Sequence, residues 1–426
     1  MSQTSRESLV SLRRELHRYP EPAWREFYTT SRIVDEVERI GVDELYVGRE
    51  ALASDERMAV PDDDELAAWH DRAREAGARE DVLEKTKGGH TGAVAVLRKG
   101  EGPTVALRVD IDALPQPESD DDDHYPASEG FRSENEGYMH ACGHDAHATI
   151  GLGILRRVKE SDFSGTFKLL FQPAEEVVGG GKAMAESGHL DDVDHLLALH
   201  VGLDHPTGEV VAGIDEFLAV THLHAEFTGS PGHAGAKPEE GYNAVQALAA
   251  GVQALYGIPR HSEGATRVNA GRIEGGTASN IIPESAEAEI EVRGGTTELK
   301  EYMHDRALDA LEGSAAAYGC TVDTEVVGDA PSATSDEALV ELVHDVAGGV
   351  DGVTNRIRRD ALGGSEDATY LMQYVQDRGG DACYVGIGTD HPGGHHTATF
   401  DTDEDSIDIG VDTLVGTIER LSGSSD

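Results

Sequence analysis

Positive charge is what this sequence has least of. Against 81 Asp and Glu stand 35 Lys and Arg, a formal net charge of −46 over 426 residues. Nucleic acids and anionic membranes both demand basic patches, so the balance argues against either as a partner. The acid is not a tail: Asp62 to Glu65, Asp120 to Asp123, Asp191 to Asp194 and Asp401 to Asp405 lie far apart. Lys is scarce and Arg supplies most of the positive charge. Carboxylates at this density repel one another unless screened, which predicts a halophilic protein working in a cytosol of molar salt. Cysteine is sparse too. Cys142, Cys320 and Cys383 cannot make a disulfide framework and predict a reducing cytoplasm. No run approaches the ~20 apolar residues of a membrane span. The N-terminal MSQTSRESLVSLRREL carries no apolar signal segment. Internal repeats are absent, as is any low-complexity tail beyond the last few Ser and Asp.

A chain this long exceeds one ordinary core and predicts two domains. Arg6 to Ile40 reads as helix, broken near Tyr19-Pro20-Glu21-Pro22, with Leu9, Leu12 and Leu16 on one stripe and Ile33, Val34, Val37 and Ile40 on another. Asp43 to Gly89 is polar, with one short helix expected at Asp64 to Ala76. Strands follow at Thr91 to Leu97 and Pro103 to Val109, then at Gly165 to Gln172 and His195 to Leu199. From about Ile214 the character changes. Strand Ala219 to Thr228, helix Tyr242 to Gly257, strands Thr266 to Ile273 and Ile281 to Val292, helix Glu298 to Tyr318 and strand Cys320 to Val327 give the β-α-β-β-α-β order of a ferredoxin-like unit. Helix–strand alternation then resumes, with helices to Gly348, at Ser365 to Val375 and at Asp403 to Ser422, and a strand at Ala382 to Ile387. The expected fold is α/β: a mixed, largely parallel sheet sandwiched by helices, with an inserted ferredoxin-like domain. The boundaries read as 1–213 and 331–426 for the two parts of the first domain and 214–330 for the insertion.

Chemistry-bearing side chains gather where strands end. MHACGHDAH, residues 139–147, packs Cys142, His144, Asp145 and His147 against the start of an apolar periodic run. Asp110 and Asp112 follow the strand TVALRVD. Pro173-Ala174-Glu175-Glu176 follows GTFKLLFQ, HLLAL ends on His200, and a fourth strand leads to His391, His395 and His396. In α/β sheets ligands bind at the carboxyl ends of strands. Thiolate, imidazole and carboxylate suit zinc and its neighbours, and a metal pair needs such ligands plus open positions. Of the two adjacent glutamates, one can ligate while the other takes a proton from water.

MHACGHDAH, LRVDIDALP, FQPAEE, ALHVG, GSPGHAGAKP, GGTASNIIPE, GGSEDATYLM and GHHTATFDTDED, in that order, resemble the amidohydrolase branch of the aminoacylase and carboxypeptidase G metallopeptidase superfamily. That branch includes hippurate, auxin–amino acid conjugate and aminobenzoyl-glutamate hydrolases, and the segment before Gly89 resembles the last group most. The resemblance covers nearly the whole chain and implies a zinc-exopeptidase-like fold with two divalent ions per subunit, Zn or Mn, with Co or Ni also accepted. It implies Cys142 as a bridging thiolate, with His144, Glu176, His200 and His396 as further ligands. Glu175 would be general base and then acid. His233 would reach a partner subunit's site and stabilise the oxyanion, Asn280 and Arg293 would hold the substrate carboxylate, and Asp110 or Asp112 would orient a ligand. The wider superfamily has His-x-Asp where Arg108-Val109-Asp110 stands here, and His144 would supply the missing ligand. A homodimer through the inserted domain is implied as well.

Plainer readings attach to the remaining candidates. His233 could cap a Gly-rich turn and Arg293 could pair with a surface acid. His222 and His224 share one strand face and read as packed or solvated. His140, His147, His391 and His395 support the site or face solvent, and Cys320 and Cys383 read as core. Asp120 to Asp123 reads as a solvated loop that could take loose cations, and Ser365 to Asp367 opens a helix, as a cap in preference to a border of the pocket. The expected function is hydrolysis of an N-acyl amino acid, aminobenzoyl-glutamate or a similar aromatic acyl amino acid, to a carboxylic acid and an amino acid. A dipeptidase or aminopeptidase of the same superfamily, and a catalytically silent metal-stabilised binding dimer, are the alternatives.

Overall fold

The runs Val105–Val109, Phe167–Phe171, Leu196–Val201 and Ala382–Ile387 are almost continuously apolar. Such strands are stable only when both faces of their sheet are covered, the usual state of a parallel sheet. In the computed structural model, which describes residues 3–391 and 393–423, they are the four central strands of an eight-stranded sheet. Pro392 within the His391–His396 stretch and the last Ser and Asp residues lie outside the described residues.

The sheet order is Glu44–Val47, Ala93–Arg98, Thr166–Gln172, Thr104–Asp110, His195–Val201, Asp381–Ile387, Glu209–Val211, Asn355–Ile357. The centre, from Thr166–Gln172 to Asp381–Ile387, is parallel throughout, and antiparallel pairs flank it on both sides. Strands with this common direction deliver Asp110, Gln172, Val201 and Ile387 to one edge. One face carries a core in which Leu9, Leu12 and Leu16 of helix Gln3–Arg18 and Ile33, Val34 and Val37 of helix Phe27–Ile40 meet the strands. Helices His144–Glu160, Glu337–Ala347 and Asp405–Gly423 join that core. Leu16 is fully buried there, and truncating it to Ala would cost about 2–5 kcal/mol. Leu196 and Tyr384 alternate to the other face, also buried, where helix Ala368–Gln376 packs on their strands.

This unit comprises Met1–Asp215, Ala333–Leu362 and Asp367–Asp426; a second comprises Glu216–Ser332 with Gly363–Glu366. In the second, four antiparallel strands lie in the order Thr266–Gly275, Ser285–Gly294, Ala219–Thr228, Thr321–Ala330. Leu223, Ala225 and Phe227 alternate onto the face covered by helices Ala244–Tyr256 and Thr297–Ala317, where Leu248, Leu255, Met303 and Leu311 meet them. The first helix is capped by Asn243, whose side chain accepts the Gln246 N–H, and the second by Thr296, which accepts from Leu299.

Several boundaries differ from the sequence reading. Asp43 to Gly89 holds a strand, Glu44–Val47, and a second helix, Glu80–Thr86, beside helix Asp63–Ala76. The strand expected to stop before His200 runs on to Val201. The helix expected from Ser365 begins at Ala368, because Ser365 Oγ instead donates to the Leu218 carbonyl at 2.6 Å. Asp367 does not cap its own helix. Its carboxylate accepts the Gly180 and Gly181 N–H groups at 3.1 and 2.7 Å and pairs with Arg108 at 3.3 Å.

Candidate metal centre

Helix His144–Glu160 starts after Gly143, whose φ of 86° lies in the left-handed region. A Cβ there would stand 2.5 Å from Val201 Cγ2, so only glycine lets this turn pack against strand His195–Val201. The tight turn sets Cys142 and His144 on either side of it, facing the end of that strand. Cys142 Sγ lies 3.3 Å from His200 Nε2. His200 Nδ1 contacts the Val201 carbonyl at 2.7 Å. A carbonyl can only accept, so Nδ1 carries the hydrogen and Nε2 presents its lone pair toward Cys142. Burial, then the neighbouring His147 and His395, hold the His200 imidazole well below its usual pKa, in the neutral form that ligates.

His144 sits among carboxylates. Its Nδ1 is 3.3 Å from Asp112, and its Nε2 is 3.7 Å from Asp110, 3.9 Å from Glu175 and 3.7 Å from Glu176. Burial lowers its basicity, but Asp110, Asp112 and Glu176 outweigh burial and push it up to about 10. Both ring nitrogens are buried without a hydrogen-bond partner among the described residues. The surrounding acid holds a proton on the ring, and a cation entering among these carboxylates would displace that proton and leave a neutral ring to ligate.

The loop after strand Thr166–Gln172 is held open by strain and by two acids. Ala174 and Val178, on either side of Glu175-Glu176, have φ of 57° and 54°, left-handed values that are uncommon outside glycine. Glu26 accepts the Ala174 N–H at 2.8 Å and the Thr91 hydroxyl at 2.5 Å. Asp112 accepts the Glu175 N–H at 3.1 Å and the Glu176 N–H at 3.0 Å. Burial, then Asp112, pushes the Glu26 carboxyl up to about 8. His396 comes from the last loop with φ 59°, its N–H donating to the Ala141 carbonyl at 2.9 Å and its Nε2 3.6 Å from Glu176.

Ligand atoms of Cys142, His144 and His200 lie within 4.8 Å of one another, as do those of Cys142, Glu176 and His396, and those of His144, Glu175 and Glu176. Cys142 is common to the first two sets. The donor set of one thiol, three imidazoles and carboxylates fits a pair of divalent ions, and the cluster of buried acid around His144 calls for positive charge. Cys142, His144, Glu176, His200 and His396 are the residues that would hold such ions.

Asp110 is a support. It binds Arg108 at 2.6 Å and the Nδ1 of His147. His147 Nε2 accepts the Val201 N–H at 2.9 Å, so both its nitrogens are used and its lone pair is not free to ligate. Arg108 also reaches Gln172 at 2.9 Å, and Gln172 reaches Asp367 at 2.6 Å, so Arg108, Asp110, Gln172 and Asp367 form one buried network under the loop. Asp145 turns away from the centre onto Arg13 and His17, each at 2.9 Å. His140 is buried, and His395 Nε2 contacts the Val201 carbonyl at 3.1 Å. Cys320 and Cys383 are buried and free, and Asp120 to Asp123 are exposed. Sequence reasoning did not single out Glu26 or Gln172, and it read Asp367 foremost as a helix cap; none carries a local signal for its place under this loop beyond a polar residue beside an apolar run.

In the second unit, His233 is exposed and its Nδ1 accepts the Gly235 and Ala236 N–H groups at 3.2 and 3.1 Å. Its strand pairs with Ile281–Ile282, next to Asn280, whose carbonyl accepts the Ala234 N–H at 3.1 Å. Arg293 places Nε and Nη2 on the two oxygens of Glu291, each at 2.8 Å, and Nη1 on Ser365 Oγ at 3.3 Å. His222 Nε2 is 3.4 Å from Glu291 as well. The Arg293 fork is therefore engaged by a neighbouring acid.

Comparison with known proteins agrees with the fold. Residues 106–420 match the peptidase family M20/M25/M40. One of the p-aminobenzoyl-glutamate hydrolase chains of Escherichia coli is 44% identical over 409 residues, 95% of this chain and 94% of that one. The indole-3-acetyl-aspartic acid hydrolase of Enterobacter agglomerans is 44% identical over 410 residues, with the same coverage of both. The crystal structure of an aminobenzoyl-glutamate utilization protein from Klebsiella pneumoniae superposes with a TM-score of 0.83 at 36% identity, covering 98% of this chain and 95% of that one. Taken with the buried thiol, imidazole and carboxylate cluster, these likenesses show that the chain belongs to the M20/M25/M40 peptidase family and is a metal-dependent hydrolase of amide bonds.

Proposed function

We propose that the substrate is an N-acyl amino acid with an aromatic acyl group, aminobenzoyl-glutamate being the best candidate, cleaved to a carboxylic acid and an amino acid. The observation that carries this reading is the cluster of Cys142, His144, Glu175, Glu176, His200 and His396 at strand ends, together with 44% identity to an aminobenzoyl-glutamate hydrolase chain and to an indole-acetyl-aspartate hydrolase. Both relatives' names describe an aromatic acyl group on an acidic amino acid.

Two divalent ions bound by Cys142, His144, Glu176, His200 and His396 would polarise the acyl carbonyl and lower the pKa of an attacking water. Zinc or manganese suits the set, and cobalt or nickel is accepted. Glu175, beside the ligand Glu176 and pinned through its N–H by Asp112, takes the proton of the attacking water and returns it to the leaving amine. Asp110 and Asp112 hold the ligands in place. His233 serves as oxyanion donor toward a partner subunit, and Asn280 and Arg293 hold the free carboxylate. For Arg293 this requires exchanging the Glu291 carboxylate for that of the substrate, which the same planar fork can grip.

The assembly proposed is a homodimer through the Glu216–Ser332 unit. Its outer strand Thr266–Gly275 leaves one edge unpaired, with Ile273 60% exposed, and an open edge of this kind is a template for pairing with a second copy. No described helix is long and apolar enough to cross a membrane, and three cysteines outside any disulfide favour a cytoplasmic location. Assaying aminobenzoyl-glutamate, hippurate and an unblocked dipeptide side by side tests the substrate class. Turnover of the dipeptide alone would replace this reading with a dipeptidase, and sedimentation at micromolar concentration checks the dimer.

A further inference from the structure

A basic cluster beside the Glu175 loop has no part in the chemistry above. Its three members close around Gly88. Arg57 Nη1 donates to the Gly88 carbonyl at 2.9 Å. A methyl placed on Gly88 would lie 3.9 Å from Arg49 Nη2 and 3.7 Å from His90 Nδ1. Two guanidinium groups and an imidazole thus converge on one spot.

In a chain with 81 acidic and 35 basic residues an arginine readily finds a carboxylate. Among the described residues, none lies within ion-pair distance of Arg49 or Arg57. The acids next to them in sequence are taken by lysines, Glu50 by Lys85 at 3.5 Å and Glu56 by Lys182 at 2.7 Å. Arg57 lies over the Trp24 ring at 5.3 Å and donates from Nε to the Ser54 carbonyl at 3.3 Å, which leaves its Nη2 without a protein acceptor among the described residues. Arg49 is exposed. His90 is only 2% exposed; its Nδ1 contacts the Lys87 carbonyl at 3.2 Å, and its Nε2 is buried with no partner among the described residues. Burial, then Arg57, pulls the His90 imidazole down to about 4, and burial, then Arg49, pulls Arg57 down to about 10. Both shifts come first from burial and second from a neighbouring guanidinium.

The cluster is tied to the catalytic loop at both ends. Met58, next to Arg57, donates its N–H to the Gly179 carbonyl at 3.2 Å and accepts the Trp24 Nε1–H at 2.7 Å. Thr91, next to His90, donates to the same Glu26 that accepts the Ala174 N–H.

We propose that Arg49, Arg57 and His90 form a binding site for a small oxyanion beside the loop that carries Glu175 and Glu176. A purely structural role would leave Arg57 bracing Gly88, but it gives no use for Arg49. An oxyanion supplies the negative charge that Arg49 and the free Nη2 of Arg57 lack, beside the Nδ1 edge of the His90 ring. Two sources share this chemistry: a carboxylate of substrate or product, and inorganic phosphate.

Isothermal titration of the metal-loaded full-length protein with glutamate, benzoate and inorganic phosphate, each alone, tests it in wild type, Arg49→Gln and Arg49→Lys. Arg49 is exposed, so unchanged melting temperatures are expected in both variants. Binding of at least one anion should weaken at least about tenfold in Arg49→Gln and recover largely in Arg49→Lys. Weakening of glutamate or benzoate assigns the carboxylate source, and weakening of phosphate alone assigns the inorganic one. Anions held by the metal centre bind all three proteins alike and cancel in the comparison. Equal affinities of wild type and Arg49→Gln for all three anions, or binding of none, would overturn the site. The readout uses no turnover, so it stands apart from the fate of the hydrolase reading.

Discussion

Asp112 holds Glu175 by its backbone: one carboxylate oxygen accepts the Glu175 N–H at 3.1 Å while the other accepts that of Glu176 at 3.0 Å. One side chain thereby fixes the proposed base and a proposed ligand together. Asp112→Ala should lower kcat by about 10–100-fold and lower bound metal in parallel. Steady-state rates beside metal analysis of the same preparation check this. An unchanged kcat at full metal content would remove the positioning role.

Glu175→Gln keeps the shape of the loop and removes the proton acceptor. Turnover of aminobenzoyl-glutamate is expected to fall by at least ~10²-fold with metal stoichiometry unchanged. His144→Ala should do the reverse in order of cause, losing metal first and activity with it, because the ring sits among Asp110, Asp112, Glu175 and Glu176. Normal activity in Glu175→Gln would transfer the base role to another group.

His17 gives a stability signature on the alkaline side. It is fully buried between Asp145 and Glu118, each at 2.9 Å. Burial lowers its pKa, but the two acids outweigh burial and raise it from 6.5 to about 9. The folded chain holds this proton more tightly than the unfolded one. The contribution is therefore complete below pH 6.5 and is lost as pH rises through about 9. Denaturation midpoints measured from pH 6 to 10 should fall more steeply in wild type than in His17→Gln. Parallel profiles would show that His17 is not the group responsible.

A net charge of −46 should make folding dependent on salt. Surface carboxylates at this density repel across a Debye length of ~10 Å at 0.1 M salt and ~3 Å at 1 M. Melting temperature and activity are expected to rise with KCl toward molar concentration. Full activity and an unchanged melting temperature in dilute buffer would set aside the halophilic expectation.

Much of the site's layout was legible because its residues follow strands. Asp110, Glu176, His200 and His396 each sit at or beyond an apolar run, and strands sharing a direction bring such ends together. Asp110 and Asp112 were legible as supports through the family resemblance, whereas Glu26 was not and Asp367 read only as a helix cap, because each is a single polar residue far from what it holds. Glu26 is 148 positions from Ala174, and Asp367 is 187 from Gly180. No periodicity marks either. The four-residue strand Glu44–Val47 and the three-residue strands Glu209–Val211 and Asn355–Ile357 are too short to show alternation against polar surroundings. Arg293 was readable both as a carboxylate fork and as a partner of a surface acid, but not that the acid is Glu291, two residues before it.

The five proposed ligands are not equally dry. Cys142, His144 and His200 are buried and the Glu176 side chain is 8% exposed, whereas the His396 side chain is 58% exposed on a loop. Two ions held by such a set would leave at different speeds. The one leaning on His396 would exchange with bulk solution, while its neighbour stayed through purification. Partial occupancy in an isolated preparation would then be an ordered state, with one seat filled and the other following the free metal in the buffer.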